Sequence, residues 1–207
     1  MTIPEARRPL ASRSTRWAGF LATTAVRTGF TADGISILSL LVAAAGAAGL
    51  ILLPRPWNLL ACAAGIQLRL LCNLLDGMVA IEGGKKSKVG VLYNEVPDRV
   101  ADSLFLVALG YEIGMPWVGW LAALAAAVTA YIRVLGGTFG LAQDFRGPLA
   151  KQHRMFVLTM GCLLGFCEFF YDDGERILIA TAWIIAFGTL VTCGTRIRAI
   201  ARQLKAR

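Results

Sequence analysis

Three stretches of the chain carry no charged residue at all: Ile35 to Leu53, Ile113 to Ile132 and Ile177 to Thr195. Each is about 20 residues, the length of helix that crosses about 30 Å of hydrocarbon. Three further apolar segments, about 57–81, 90–111 and 154–171, are interrupted by charge. A soluble protein could bury one such segment, but six together make a polytopic bundle. The fold class is therefore all-α: a polytopic membrane protein with six transmembrane helices at roughly 33–53, 57–81, 90–111, 115–141, 154–171 and 175–198. Breaks between them fall at Pro54-Arg55-Pro56, Gly83-Gly84, Gly114-Met115-Pro116, Gly147-Pro148 and Asp172-Asp173-Gly174. Composition agrees, with 57% hydrophobic and only 16% charged residues, against about a quarter charged in a soluble domain.

The net charge of +8, from 21 basic and 13 acidic residues, would in a soluble chain suggest a polyanion partner. In a membrane protein it reports basic loops held against anionic lipid, and no nucleic-acid partner is expected. One side of the bundle collects Arg7, Arg8, Arg13, Arg16 and Arg27, then Lys85, Lys86 and Lys88, then Arg146, Lys151 and Arg154, and finally Arg196 to Arg207. The other side has only Arg55 and Arg176, and gathers Glu112, Glu168, Asp172, Asp173 and Glu175. Both termini are thus expected in the cytoplasm, in the inner membrane of a cell, by the positive-inside rule. No signal-peptide core follows the first arginines. Residues 1–31, which mix arginine with Leu10, Trp17, Phe20 and Leu21, read as an amphipathic helix on the cytoplasmic leaflet, with a disordered basic tail as the alternative. The whole of 1–207 is one membrane domain, with 199–207 a basic cytoplasmic tail. Cys62, Cys72, Cys162, Cys167 and Cys193 all fall in apolar runs, which excludes a disulfide scaffold.

Ionisable groups inside spans are expensive and usually functional. Here they concentrate at the cytoplasmic ends of the second and third spans. Arg69, Asn73, Asp76 and Ala80 recur at i, i+4, i+7 and i+11, one helical face. Gly90, Asn94, Asp98 and Asp102 follow in steps of four, with Glu95 beside them. Interhelical glue is an open alternative, with Arg69 and Arg99 paired to Asp76, Asp98 or Asp102.

Read together, Asn73-x2-Asp76-Gly77-x2-Ala80-x9-Gly90-x3-Asn94-x3-Asp98 resembles the signature of the CDP-alcohol phosphatidyltransferases, D-x2-D-G-x2-A-R-x8-G-x3-D-x3-D. Five of its eight fixed positions match, while the first and third aspartates are Asn73 and Asn94 and the arginine is Ile81. Thr31-Ala32-Asp33-Gly34-Ile35-Ser36 resembles the family's P-N-x-x-T opening of its first span. A bacterial branch shares the two-asparagine pattern.

The resemblance implies an enzyme that displaces CMP from a CDP-linked lipid, such as CDP-diacylglycerol, by the hydroxyl of an acceptor alcohol. It implies divalent cations, Mg²⁺ or Mn²⁺, held by carboxylates that clamp the diphosphate. By position, Asp76 and Asp98 are metal ligands, Asp98 is also the general base, and Asn73 and Asn94 stand where bridging carboxylates belong. Two carboxylates balance one dication, so one ion is expected without substrate, a second arriving only with the diphosphate. Asp33, Gly77, Ala80, Ser87 and Gly90 would lie against the CDP-lipid. Arg69 would replace the missing arginine, and Glu95 and Asp102 are possible compensating acids. Arg133, Lys151 and Arg154 are candidates for an acceptor or its phosphate, with topology alone as the competing account. His153, the single histidine, suits the interface better than catalysis. A homodimer is implied by the family. The competing functional class is an inactive relative that binds nucleotide or lipid as a partner, and a small transporter is the third.

Overall fold

The computed structural model describes residues 15–82, 90–172 and 175–206. These form seven helices: α1 (Arg16–Arg27), α2 (Ala32–Leu52), α3 (Trp57–Glu82), α4 (Gly90–Glu112), α5 (Pro116–Thr138), α6 (Lys151–Glu168) and α7 (Glu175–Lys205). No strand occurs among the described residues.

Local chemistry sets the ends. Thr31 caps α2, its hydroxyl oxygen accepting from Gly34 N–H at 3.1 Å. Leu53, pushed out of the helical region by the proline after it, is extended (φ −85°, ψ 151°) and stops α2. Gly114 (φ +66°) turns α4 into α5: its N–H bonds Tyr111 O at 3.2 Å and Met115 N–H reaches Gly110 O at 2.9 Å. That paired reach-back is a Schellman cap, and its left-handed residue is one that only glycine adopts cheaply. Pro116 then starts α5, where its missing N–H costs nothing.

α2 packs on α3 and α4, α4 on α5, α5 on α7, and α6 on both α3 and α7, while α1 lies along α3. Two crossings depend on missing side chains. A Cβ on Gly46 would sit 2.9 Å from Gly65 Cα, and one on Gly110 only 2.7 Å from Gly119 Cα. Helices in lipid associate through such close backbone packing. Ile66, Phe105, Leu109, Met155, Leu158 and Ile185 fill the centre, while Trp117, Trp120, Leu124, Tyr131 and Phe187 face outward. At the end of the bundle where α4 finishes, Arg55 Nε donates to Glu112 Oε1 at 2.7 Å and Asn58 Nδ2 donates to the same oxygen at 2.9 Å. This clasp leaves the polar interior of α3 and α4 to the opposite end.

Four of the expected spans, α2, α3, α5 and α7, are long and apolar enough to cross a membrane. α4 and α6 are 23 and 18 residues long but carry the ionisable side chains of the site. Several boundaries differ from the sequence reading. α6 opens at Lys151, not 154, because the segment before it folds back and Arg154 N–H can bond Ala150 O at 3.0 Å. α7 continues to Lys205, so most of the segment set apart as a tail is helix, with Arg202 and Lys205 complementing the dipole of its last turn. α5 stops at Thr138, short of 141, at a second glycine cap on Gly140 (φ +70°). Within the N-terminal segment, Arg16–Arg27 is helical. Ala18 and Ala22 bury in a cluster with Leu74, Met78 and Val79 of α3, while Trp17 and Phe20 remain exposed. Residues 1–14, and Lys85, Lys86 and Lys88, lie outside the described residues.

Candidate active site

The face of α3 read from the sequence meets α4, α2 and the start of α6. Asp76 Oδ2 accepts from Ser36 Oγ at 2.8 Å, and Ser39 Oγ bonds Asn73 Oδ1 at 3.0 Å. Asn73 Nδ2 in turn donates to Asp98 Oδ1 at 2.7 Å. The carboxylate can only accept here, and that fixes which way the Asn73 amide points. Arg69, with no exposed surface, donates to Asp98 Oδ1 at 3.0 Å and to the Asp98 carbonyl at 3.2 Å. Its Nη2 also lies 2.8 Å from Asp102 Oδ1, an ion pair without hydrogen-bond alignment. Lys151 Nζ pairs with Asp98 Oδ2. Arg154 Nη2 donates to Asp102 Oδ2 at 3.2 Å and its Nη1 to Leu149 O at 2.8 Å. Burying these charges is tolerable because Arg69, Lys151, Arg154, Asp98 and Asp102 each have an opposite partner, while Asp76 accepts from the Ser36 hydroxyl.

Beside Asp98 and Asn73 opens a cavity of about 230 Å³. Arg99, Arg133, Lys151, Arg154 and Arg196 line it, against only Glu95 and Asp98. Arg133 Nη2 donates to Glu95 Oε2 at 2.6 Å and Arg99 Nη2 to the same oxygen at 3.1 Å. Arg133 also reaches Gln143 Oε1 at 3.2 Å and lies 5.2 Å from the centre of the Phe145 ring. Arg196 is pinned by the carbonyls of Thr129 (2.8 Å) and Arg146 (2.9 Å). The buried Nε of Arg99 and of Arg154 have no partner. An excess of fixed cations with spare N–H groups is what an anionic ligand requires.

The segment between α5 and α6 forms one wall of this cavity through Phe145 and Ala150. Asp144 shapes it, accepting from Arg146 Nε (3.0 Å), Nη2 (3.1 Å) and backbone N–H (2.9 Å). Partial burial works against ionisation of Asp144, but the Arg146 side-chain and backbone hydrogen bonds outweigh it and hold its carboxyl below the usual range.

Of the residues singled out from the sequence, Arg69, Asn73, Asp98, Asp102, Lys151 and Arg154 come together in one network, and Asp76, one turn along α3 from Asn73, bonds Ser36 instead. Glu95 and Arg133 sit on the adjoining cavity. Glu95 and Asp102, considered as compensating acids, are each committed to two cations: Arg99 and Arg133 for Glu95, Arg69 and Arg154 for Asp102. Gly77 and Ala80 are half-buried on α3, Gly90 opens α4, and Asp33 lies in the first turn of α2, three residues before Ser36. Ser87 and the side chain of Asn94 lie outside the described residues. The sequence reading assigned no site role to Ser39, Thr129, Gln143, Phe145 or Arg196. Arg196 was legible only as one more basic residue near a helix end, and Ser39 as a lone hydroxyl in an apolar run.

Asp76 Oδ1 is buried without a hydrogen-bond partner. One free carboxylate oxygen suits a hard divalent cation whose coordination substrate oxygens complete. Among the described residues, no three His, Cys, Asp or Glu side chains gather into a metal cage by themselves.

No protein-family model matches the chain. It is 28% identical over 184 residues to a phosphatidylinositol phosphate synthase of Mycobacterium marinum, covering 86% of this chain and 76% of that one. A phosphatidylinositol phosphate synthase of Streptomyces avermitilis is 27% identical over 200 residues, with 91% and 78% covered. The crystal structure of Mycobacterium tuberculosis phosphatidylinositol phosphate synthase with CDP-DAG bound matches with a TM-score of 0.75 and 23% identity, over 90% of this chain and 94% of that one. The chain has the phosphatidylinositol phosphate synthase fold. The same enzyme in complex with manganese and citrate matches equally, with a TM-score of 0.75 over 88% of each chain. These synthases belong to the CDP-alcohol phosphatidyltransferases, the class that the α3–α4 motif resembles.

Proposed function

We propose that the chain is an integral membrane phosphotransferase that moves a phosphatidyl group from CDP-diacylglycerol to a phosphorylated polyol, releasing CMP. The observation that carries this reading is the cationic cavity opening beside Asp98. An acceptor with only hydroxyls, such as inositol, would leave Arg99, Arg133, Lys151, Arg154 and Arg196 with only Glu95 and Asp98 as anions lining the cavity. A phosphate-bearing acceptor such as inositol phosphate satisfies them, in keeping with the names of the relatives.

The chain's own residues supply most of the mechanism. Arg133, Arg154 and Arg196 hold the acceptor phosphate and aim a hydroxyl toward Asp98. Arg69 and Asn73 fix Asp98 Oδ1, while Oδ2 pairs with Lys151, a cavity residue that an incoming hydroxyl can displace. Asp98 accepts the hydroxyl proton as the new bond to the lipid-linked phosphorus forms and the bond to CMP breaks. Gly77 and Ala80 leave room on α3 for the cytidine and diphosphate. Asp76, through its free oxygen and with the substrate diphosphate, would hold a single divalent cation, Mg²⁺ or Mn²⁺, whose positive charge assists the departure of CMP. A neighbour of the same fold in complex with manganese supports that choice of ion class.

We read all six long helices as spans. α1 and the site then face the cytoplasm of a cell inner membrane, and Trp57, Trp117 and Trp120 form an aromatic belt at the other surface. A homodimer is the assembly that the family resemblance implies. The binding-only reading has one observation in its favour: Asp98 is already held by three donors, Arg69, Asn73 and Lys151. Mass spectrometry of the lipid formed from CDP-diacylglycerol in nanodiscs, offered inositol phosphate or inositol, separates these accounts. Phosphatidyl transfer to the phosphorylated acceptor alone supports the proposal; transfer to inositol alone removes the cationic cavity from acceptor binding; no lipid product supports binding only.

A further inference from the structure

The buried network carries its own counter-charge. Asp76, Asp98 and Asp102 are all nearly buried, and so are Arg69 and Arg154, with the half-buried Lys151 as the sixth member. Arg69, Lys151 and Arg154 pair with Asp98 and Asp102, and the nearby Asp76, which has no cation partner of its own, brings the count to three carboxylates and three cations, a neutral cluster. Placing two dications on it would leave a surplus that the substrate diphosphate alone has to absorb, whereas one dication and the diphosphate balance. The second feature is where the ammonium sits. Lys151 Nζ pairs with Asp98 Oδ2, while Asn73, at the first aspartate position of the signature, donates an N–H to Asp98 Oδ1 and so cannot bridge metals from that nitrogen. The oxygen of Asn73 is taken by Ser39 at 3.0 Å. In contrast, Asp76 Oδ1 is left free.

We propose that Lys151 is a built-in replacement for the second divalent cation, so that this site works with one metal at Asp76 and one ammonium at Asp98. The proposal rests on the phosphotransferase reading above and deepens it. The ammonium neutralises Asp98 before substrate arrives and gives way, or turns toward the diphosphate, once the acceptor hydroxyl approaches. Lys151 is reachable for this, because it opens α6 and lines the cavity. Asn73 of the motif is then matched to the lysine: a carboxylate at that position would call back a metal that Lys151 makes unnecessary.

The test is a Mn²⁺ titration of the full chain in nanodiscs, with free ion counted by electron paramagnetic resonance, with and without saturating CDP-diacylglycerol. The wild-type protein is expected to bind one Mn²⁺ per chain when CDP-diacylglycerol is present, and Lys151→Met to bind two. Two ions on the wild type overturn the proposal while leaving the phosphotransferase reading intact, and an unchanged count of one in Lys151→Met overturns the role of Lys151. No ion on the wild type, even with the CDP-lipid, overturns both the proposal and the metal-assisted reading beneath it. Should Lys151→Met fail to fold, Lys151→Gln is counted in the same way, two ions with CDP-diacylglycerol supporting the role of Lys151 and one ion overturning it.

Discussion

Asn73 on α3 donates its amide N–H to Asp98 on α4 at 2.7 Å, at a position where the resembling signature has two carboxylates. An aspartate at residue 73 would place like charges at that distance and leave Asp98 short of a donor. Asn73→Asp is therefore expected to lower the stability of the metal-free protein by about 1–3 kcal/mol, the cost of an unsatisfied buried polar group. Mn²⁺ should restore much of the loss by bridging the two acids. Thermal unfolding in detergent with Mn²⁺ or with chelator checks this, and a loss that Mn²⁺ leaves untouched counts against a metal near Asp76 and Asp98.

Asp98→Asn keeps the shape and one hydrogen-bond acceptor for Arg69 but cannot take a proton from the acceptor. Its kcat is expected to fall by about 10²–10⁴, the usual contribution of a positioned base. Steady-state CMP release measures it. A variant retaining most of the wild-type rate would take the proton-accepting role away from Asp98.

Arg133 reaches the cavity from α5, held by Glu95, Gln143 and the Phe145 ring. Arg133→Gln removes a charge-assisted contact worth about 1.5–3 kcal/mol. The KM for a phosphorylated acceptor should accordingly rise roughly 10- to 100-fold, with the KM for CDP-diacylglycerol nearly unchanged. An equal rise in both would mean that Arg133 supports the fold of the site and not the acceptor.

Asp144 braces the cavity wall through Arg146, and its carboxyl is held below the usual range. A depressed folded-state value means that the stabilisation is present above the ordinary carboxylate range and is lost as the pH falls through the folded value. The protection of residues 139–150 against hydrogen exchange, corrected for the intrinsic pH dependence of exchange, should therefore fall on acidification below that ordinary range. Asp144→Asn should show the lower protection at neutral pH as well. Protection in the wild type that is flat across that window would contradict a bracing role.

Much of the architecture was readable in advance because lipid leaves helices few options. Uncharged runs marked α2, α5 and α7, and the steps of Arg69, Asn73 and Asp76 put the polar face of α3 where the structure has it. Proline and glycine breaks located the turns, but the ends of α5, α6 and α7 moved by several residues, since caps such as Gly140 and the dipole complement of Arg202 and Lys205 act without periodicity. The site was half legible. Residues inside the motif could be found by spacing, whereas Arg196, Thr129 and Gln143 join only when α5, α7 and the α5–α6 segment converge, which no local pattern reports. Lys151 was visible as a basic residue near a helix start, but its pairing with Asp98 depends on α6 packing against α3 beside α4.

The central claim is that a CDP-lipid is cleaved here by a phosphorylated acceptor. It is tested most directly by CMP release from purified protein in nanodiscs containing CDP-diacylglycerol, with inositol phosphate and Mg²⁺ added singly and together. The account predicts release only when both are present, and none from Asp98→Asn. Bound CDP-diacylglycerol with no CMP formed under any combination would contradict it and leave a lipid-binding protein built on an enzyme's fold.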